Sequence, residues 1–243
     1  MRLVFGVQAV REAIRAHGAR IEGLLVEKGE HPVLLALARF ARNQGIEVRL
    51  GTRSELDRNA RGTRHQGVMA MAPELRLTPL EELQMGDRAL LLGLDGIQDP
   101  QNFGAVVRSA VALGADAIIW PEHASAPLSP ATFRASAGAI EHATLCRVRS
   151  LPGAIRLAAE RGVTAIGLDA SAPLELAELG LGGPVLLVVG AEDGGLMRSV
   201  RGACTHLARI TMRGPIGSLN ASVAAALALY ETHRQRGLGR AAG

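Results

Sequence analysis

Apolar positions recur along this chain at two spacings, and each spacing specifies an element. Val7, Val10 and Ile14 fall three and four residues apart, on one stripe of a helix. A short apolar run at 21–26 reads as a strand. A second helical stretch at about 32–43 is ended by Gly45, and strands follow at 46–50 and 67–71. That is the outline of a small α/β unit. A polar, proline-bearing stretch at 73–87 (PELRLTPLEELQMGD) breaks the pattern and reads as a linker. Beyond it the alternation resumes: strand 89–94, helix 102–113, strand 117–120, helix near 129–140 and strand 144–148. Helix 152–161, strands 164–169 and 184–190, and an alanine-rich helix at 221–234 complete it. These later strands are apolar throughout, so both of their faces are buried, and a parallel sheet covered by helices is expected. The predicted division is therefore 1–72, a linker at 73–87, and 88–243. Internal repeats are not evident, and neither the linker nor the tail beyond Arg236 carries a motif.

Composition narrows the class. With 48% apolar residues and a net charge of +4, the 243-residue chain has too much apolar surface and too little charge to remain disordered. No stretch reaches the roughly 18 uncharged apolar residues of a membrane helix. Arg11, Glu12 and Arg15 also stand where a signal peptide needs its apolar region, so a cytoplasmic protein is expected. Cys146 and Cys204 lie far apart with no CxxC, which leaves no zinc cage or disulfide framework and suggests two small apolar residues. Charge is distributed unevenly. Residues 1–76 carry 13 basic against 8 acidic side chains, whereas 77–243 carry 14 against 15. Lys28 is the only lysine, so the cations are nearly all arginines, through either genome composition or a need for bidentate phosphate contacts.

In open parallel sheets ligands sit beyond the carboxyl ends of strands, and three loops at such ends stand out. In the first, 95–104 (DGIQDPQNFG), Asn102 is a plausible helix N-cap and Arg108 follows less than two turns later, so both can border one cleft. A capped helix with a surface arginine explains the same residues. In the second, 188–196 (VVGAEDGGL), glycines allow close backbone approach to a ligand and Glu192 sets a carboxylate at a strand end; an ordinary turn is the alternative. The third, 210–220 (ITMRGPIGSLN), precedes the alanine-rich helix, which Ser218 or Asn220 can cap, though not both. GxGxxG after the first strand, GxxxxGK[ST], HExxH and GxSxG are all absent, which removes the dinucleotide, P-loop, zincin and hydrolase readings. No histidine pair has metal-ligand spacing. Arg61, Arg64 and His65 cluster around Gly62, as an RNA contact or as a solvated basic loop.

Taken together, Asn102 with Arg108, Gly190 with Glu192, and Ser218-Leu219-Asn220 resemble, in order and spacing, the three motifs of the SpoU, or TrmH-like, RNA ribose 2′-O-methyltransferases of the SPOUT superfamily, over about 88–236. Phe5-Gly6 with Ala9-Val10, and His65-Gln66-Gly67-Val68, are similar to the RNA-binding domain of the branch that methylates a guanosine of 23S ribosomal RNA. Thr211 stands where that family usually has proline, Ala221 where valine is common, and Asp193 adds an acid to the second loop, where it could alter cofactor contacts.

The resemblance implies a catalytic domain with a parallel sheet and a deep trefoil knot, preceded by a small α/β RNA-binding domain. It implies S-adenosylmethionine as cofactor, contacted by Gly190, Ile210 and Leu219 with Val189 and Met212 beside them, and no metal. It implies a catalytic set of Arg108, Asn102, Glu192, Ser218 and Asn220. Arg108 acts there as base or as phosphate anchor; the second is favoured, because a guanidinium stays protonated and its planar fork suits phosphate. RNA contacts are expected from Arg61, Arg64, His65 and Arg11. A homodimer paired partly through the last helix, which is apolar nearly all round, is implied as well. Transfer RNA or another ribosomal nucleotide as target, an antibiotic-resistance methyltransferase, and a catalytically silent ribosome-assembly factor remain as alternatives.

Overall fold

The structure is a computed structural model that describes residues 1–237; the end of the motif-free tail, 238–243, lies outside the described residues. The chain divides into two compact units. Residues 1–75 together with 128–142 form one, and residues 76–127 with 143–237 form the other.

The first unit begins with β1 (Arg2–Phe5), α1 (Val7–His17), β2 (Gly23–Glu27), α2 (Pro32–Asn43), β3 (Val48–Gly51), α3 (Arg53–Ala60) and β4 (Val68–Ala72). Its sheet runs β1-β4-β2-β3, with β4 antiparallel to both neighbours and β2 parallel to β3. The stripe on α1 buries Val10, Ala13 and Ile14, and α2 buries Leu34, Leu37, Ala38 and Ala41 in the same core. The terminators act as the sequence suggests: Gly45 takes a φ of 75°, closed to most side chains, and its N–H bonds Arg42.

In the second unit come β5 (Leu90–Asp95), α4 (Pro100–Ala112) and β6 (Ala117–Pro121). The chain then passes through α5 (Pro130–Ala135), which counts with the first unit, before β7 (Leu145–Val148), α6 (Leu151–Glu160), β8 (Thr164–Leu168) and β9 (Leu174–Glu175). The unit closes with β10 (Val185–Gly190), α7 (Arg198–Arg201), β11 (His206–Arg209) and α8 (Ala221–Gln235). Among the described residues its sheet has seven strands, in the order β7-β6-β5-β10-β8-β11-β9, and every pairing is parallel. All residues of β5 and β10 are buried, as the apolar runs 90–94 and 185–190 require; the buried Asp95 that ends β5 is not part of that pattern. Phe103 of α4 meets Trp120 of β6 edge to face at 5.4 Å. Cys146 and Cys204 are free thiols, each pushed up to about 11 chiefly by burial, so they stay protonated at neutral pH.

The helix expected near 129–140 is the clearest departure. It stops at Ala135, Ala137 and Gly138 take φ values of 49° and 85°, and a short 3-10 turn covers Ala139–His142. The break is where this segment meets α1: a Cβ on Gly138 would stand 2.9 Å from the Ala9 backbone. Beyond it, Glu141 is buried against Arg2 and against His17 at 2.9 Å, and His142 bonds Glu12 at 3.0 Å. The segment is thus stitched into the first unit.

Candidate active site

The carboxyl ends of β5, β10 and β8 lie side by side, with Gly190 opposite Asp95 and Val188 opposite Gly167. At these ends a cavity of about 320 Å³ opens, walled by the residues following β8, the loop following β10 and the segment 210–219. Three stretches remote in sequence therefore share one wall, which the parallel topology makes possible by delivering its strand ends to one edge.

The loop after β10 is held unusually tightly. Ala191 and Gly195 form an isolated bridge, and the Gly195 N–H donates to the Ala191 carbonyl at 2.8 Å. This folds the backbone back onto Gly190, where a Cβ would lie 2.2 Å from the Gly195 carbonyl carbon, so no side chain fits. The return is pinned by Asp95. Fully buried, it accepts the Met197 N–H at 2.7 Å through Oδ2 and leaves Oδ1 without a partner. Burial raises its carboxyl above the usual range, against the lowering effect of that N–H.

Beside the cavity, the side chains of Asn102, Glu192 and Asn220 meet. The N-cap of α4 is Asp99, whose carboxylate accepts from the N–H groups of Gln101 and Asn102, and not Asn102 as the loop sequence suggests; one turn later the Asn102 side chain caps nothing and can face the other loops. At α8 the cap is Asn220 and not Ser218: Asn220 Oδ1 accepts the Ser222 N–H at 2.9 Å. That bond commits the oxygen, so Nδ2 turns the other way and donates to Asn102 Oδ1 at 2.9 Å and to Glu192 Oε1. One carboxamide thus joins all three loops and starts a helix.

Val189, Gly190, Ile210, Met212 and Leu219 all line the cavity, as do Glu192 and Ser218. Asn102 and Asn220 do not line it but reach it through Glu192, and Asp193 is exposed outside the lining. Arg108 is exposed on α4 six residues after Asn102, about 9 Å further along the axis. Sequence reasoning missed Asp169, Ser171 and Arg201, which also line the cavity. Asp169 accepts from Ser171 and pairs with Arg201. For Asp169 and Ser171 the signal was the end of the strand at 164–169, a loop of the searched class without glycines; Arg201, on α7, had none. In the first unit Arg61 and Arg64 are exposed and Arg11 half-buried, whereas His65 is buried. Its Nε2 bonds Asp57 at 2.9 Å and its Nδ1 accepts the Gly67 N–H at 3.0 Å, so it shapes its loop from within and does not belong to a solvated one.

Residues 89–230 match the SpoU rRNA methylase family, and residues 3–78 match the domain described as RNA 2′-O ribose methyltransferase substrate binding. The chain belongs to the SpoU rRNA methylase family. Among its SpoU relatives, the 23S rRNA (guanosine-2′-O-)-methyltransferase RlmB of Xylella fastidiosa is 40% identical over 241 residues, 97% of each chain. RlmB of Pseudomonas aeruginosa is 38% identical over 96% of each chain. The solved SpoU methyltransferase AviRb of Streptomyces viridochromogenes, in complex with AdoMet, superposes with a TM-score of 0.80 at 28% identity, over 96% of this chain and 89% of AviRb.

The SpoU cavity suits a cofactor that is part cation, part nucleoside. Glu192 supplies negative charge, Asp169 being paired with Arg201, and Val189, Ile210, Met212 and Leu219 supply apolar wall. A Cβ at Gly194 or Gly195 would stand in open space, so bare backbone faces the cavity there.

Proposed function

We propose that this chain transfers a methyl group from S-adenosylmethionine to the 2′-hydroxyl of a guanosine ribose in 23S ribosomal RNA. The observation that carries the reading is the meeting of Asn102, Glu192 and Asn220 at the edge of a cavity walled by Val189, Gly190, Ile210, Met212 and Leu219. A ribose hydroxyl is a weak nucleophile, so alignment against a good leaving group is the main demand. The cofactor supplies that leaving group as a sulfonium carrying the methyl. The chain supplies position. Main-chain groups of the 189–195 and 210–219 segments hold the cofactor. Glu192, Ser218 and the two asparagines hold the ribose side. Arg108, exposed and without a hydrogen bond or ion pair among the described residues, grips the neighbouring phosphate through its planar fork.

The same reading takes residues 1–72 as the RNA-binding domain, joined through 73–87 to a methyltransferase domain at 88–243, which lends its segment 128–142 to the first unit. Arg11, Arg61 and Arg64 contact RNA there, and His65 holds the loop that presents them. It takes the catalytic domain as a deep trefoil knot, supported by the close passage of backbone at Gly190 and the return of the 210–219 segment to the same strand ends. It places the enzyme in the cytoplasm with the ribosomal RNA, and no helix among the described residues is long and apolar enough to cross a membrane. It takes the working form as a homodimer, because Val223, Leu227 and Tyr230 leave an exposed apolar stripe along α8.

Purified chain, labelled cofactor and unmodified 23S rRNA test the reading. One guanosine 2′-O-methyl group per RNA is expected, and mapping identifies the nucleotide. Methyl transfer to transfer RNA alone, or none to any RNA, would overturn it. Arg108→Lys keeps the charge and loses the fork, so kcat/KM is expected to fall by about tenfold or more with the pH profile unmoved; near-normal turnover rejects the phosphate role.

A further inference from the structure

A second cavity, of about 730 Å³, lies within the first unit between the start of α2 and the turn that joins α3 to β4. Its charge is layered. His31, Arg53 and Arg64 line it and are exposed, as is Asp57, whose carboxylate is taken up by His65, so the cations at the rim face one unpaired carboxylate deeper in. Leu34 is buried, and Val7 and Glu27 are half-buried. Glu27 stands at the end of β2, and among the described residues its carboxylate has neither an ion pair nor a hydrogen bond, although Arg53 and Arg64 line the same space.

The turn beside it is held in one shape. Arg61 and Gln66 take left-handed backbone conformations uncommon for residues with side chains, with φ of 45° and 53°. The buried His65 ties the turn to Asp57 and to Gly67, and Gln66 Oε1 accepts the Val7 N–H at 2.9 Å. Gly67 has φ of 79°, and a Cβ there would lie 2.7 Å from Leu34 and 3.0 Å from Glu27 Oε2. A side chain at 67 would therefore fill the space next to the carboxylate.

We propose that this cavity seats one unpaired guanine nucleotide of the RNA, separate from the nucleotide that is methylated. Exposed arginines outside a half-buried carboxylate match a nucleotide entering base first, with its phosphate left at the rim. Val7 and Leu34 supply apolar wall for the base in a chain with few aromatic residues. Glu27 selects guanine because guanine alone presents two adjacent N–H donors, N1–H and the N2 amino group, to both oxygens of one carboxylate. Adenine and cytosine offer a single amino group, and uracil a single imino N–H. The inference rests on the proposed action on RNA and adds a specificity element to it.

The test uses the full chain with S-adenosylhomocysteine in excess, titrated separately with the 5′-monophosphates of guanosine, adenosine, cytidine and uridine while backbone amide resonances are followed. Guanosine monophosphate is expected to shift the amides of Val7, Glu27 and Gly67 and to bind about tenfold tighter than the others, the worth of one extra charge-assisted hydrogen bond. Glu27→Gln, with an otherwise unchanged spectrum, is expected to erase that preference. Arg64→Ala is expected to weaken all four nucleotides alike. Shifts that bypass these amides, or a guanine preference surviving in Glu27→Gln, would overturn the proposal. A separate portion of the same protein, with S-adenosylmethionine in place of S-adenosylhomocysteine, is assayed for methyl transfer to 23S rRNA. Transfer without guanine binding here rejects the seat alone, whereas guanine binding without transfer upholds the seat and rejects the proposed reaction.

Discussion

Asn220 serves two purposes through the two ends of one carboxamide, and they can be separated. Asn220→Asp keeps an oxygen for the Ser222 N–H but loses the donor to Asn102 and Glu192, and it sets a second carboxylate beside Glu192. Stability close to wild type with methyl transfer strongly reduced is expected. Asn220→Ala loses the cap as well, at about 1 kcal/mol, read by denaturant unfolding. Equal activity in wild type and Asn220→Asp would rule out a role for the donor.

Asp95 gives a pH signature. Its folded-state carboxyl holds its proton to higher pH than the unfolded chain does. The folded form therefore binds more protons in that window, and stability falls as pH rises from the ordinary carboxylate range, about 4, through the raised value. Asp95→Asn keeps an acceptor for the Met197 N–H and removes the titration. Its stability relative to wild type is expected to grow with pH across that window, measured by unfolding at a series of pH values; a constant difference would contradict the assignment. The sequence placed Asp95 in a motif loop but offered no reason for burying it, because the reason is the return of residue 197, a contact spanning 102 positions. Glycine and cap chemistry marked the loops that carry Gly190 and Leu219, and the motif resemblance picked those residues out of them; the turn of Asp169 and Ser171 carries neither mark and lies outside the motifs.

At the level of elements, legibility followed periodicity. Helix α2 has the predicted bounds, and the five strands predicted for the large sheet lie within one residue of expectation at either end. Elements without a clear period escaped: β11 (HLAR) is short and mixed, and α3 (RSELDRNA) buries only Leu56 and Ala60. Helix α8 shows what an all-round apolar pattern conceals. Ala225, Ala228 and Leu229 are buried in the unit, where α8 packs on α4 and β10, and Arg236 fastens its far end by donating to the carbonyls of Leu181, Arg88 and Ala89. The outward stripe of Val223, Leu227 and Tyr230 is left over. Leu227→Glu on that stripe is expected to halve the mass seen by analytical ultracentrifugation with little change in secondary structure; a monomeric wild type would reject the dimer.

For the whole molecule, the basic excess of residues 1–76 makes ionic strength the natural probe of RNA affinity. With few aromatic residues to stack on bases, binding to 23S rRNA fragments is expected to weaken steeply between low and physiological salt, the logarithm of Kd rising linearly with that of salt. Arg61→Ala and Arg64→Ala are each expected to reduce the slope by about one. A flat response would move recognition away from phosphate contacts.

The turn that carries Glu141 bears on how such a protein can be cut and recombined. Arg2 and His17, near the start of the chain, have their acidic partner more than 120 positions later, inside the span that matches the methylase family. A gene fragment ending at the proline-bearing joint would strand a guanidinium against the place of its missing counter-ion. Recombination that swapped the front module for another at that joint would also have to replace a short stretch downstream, so the two portions are bound to drift together through descent although most of their cores are separate.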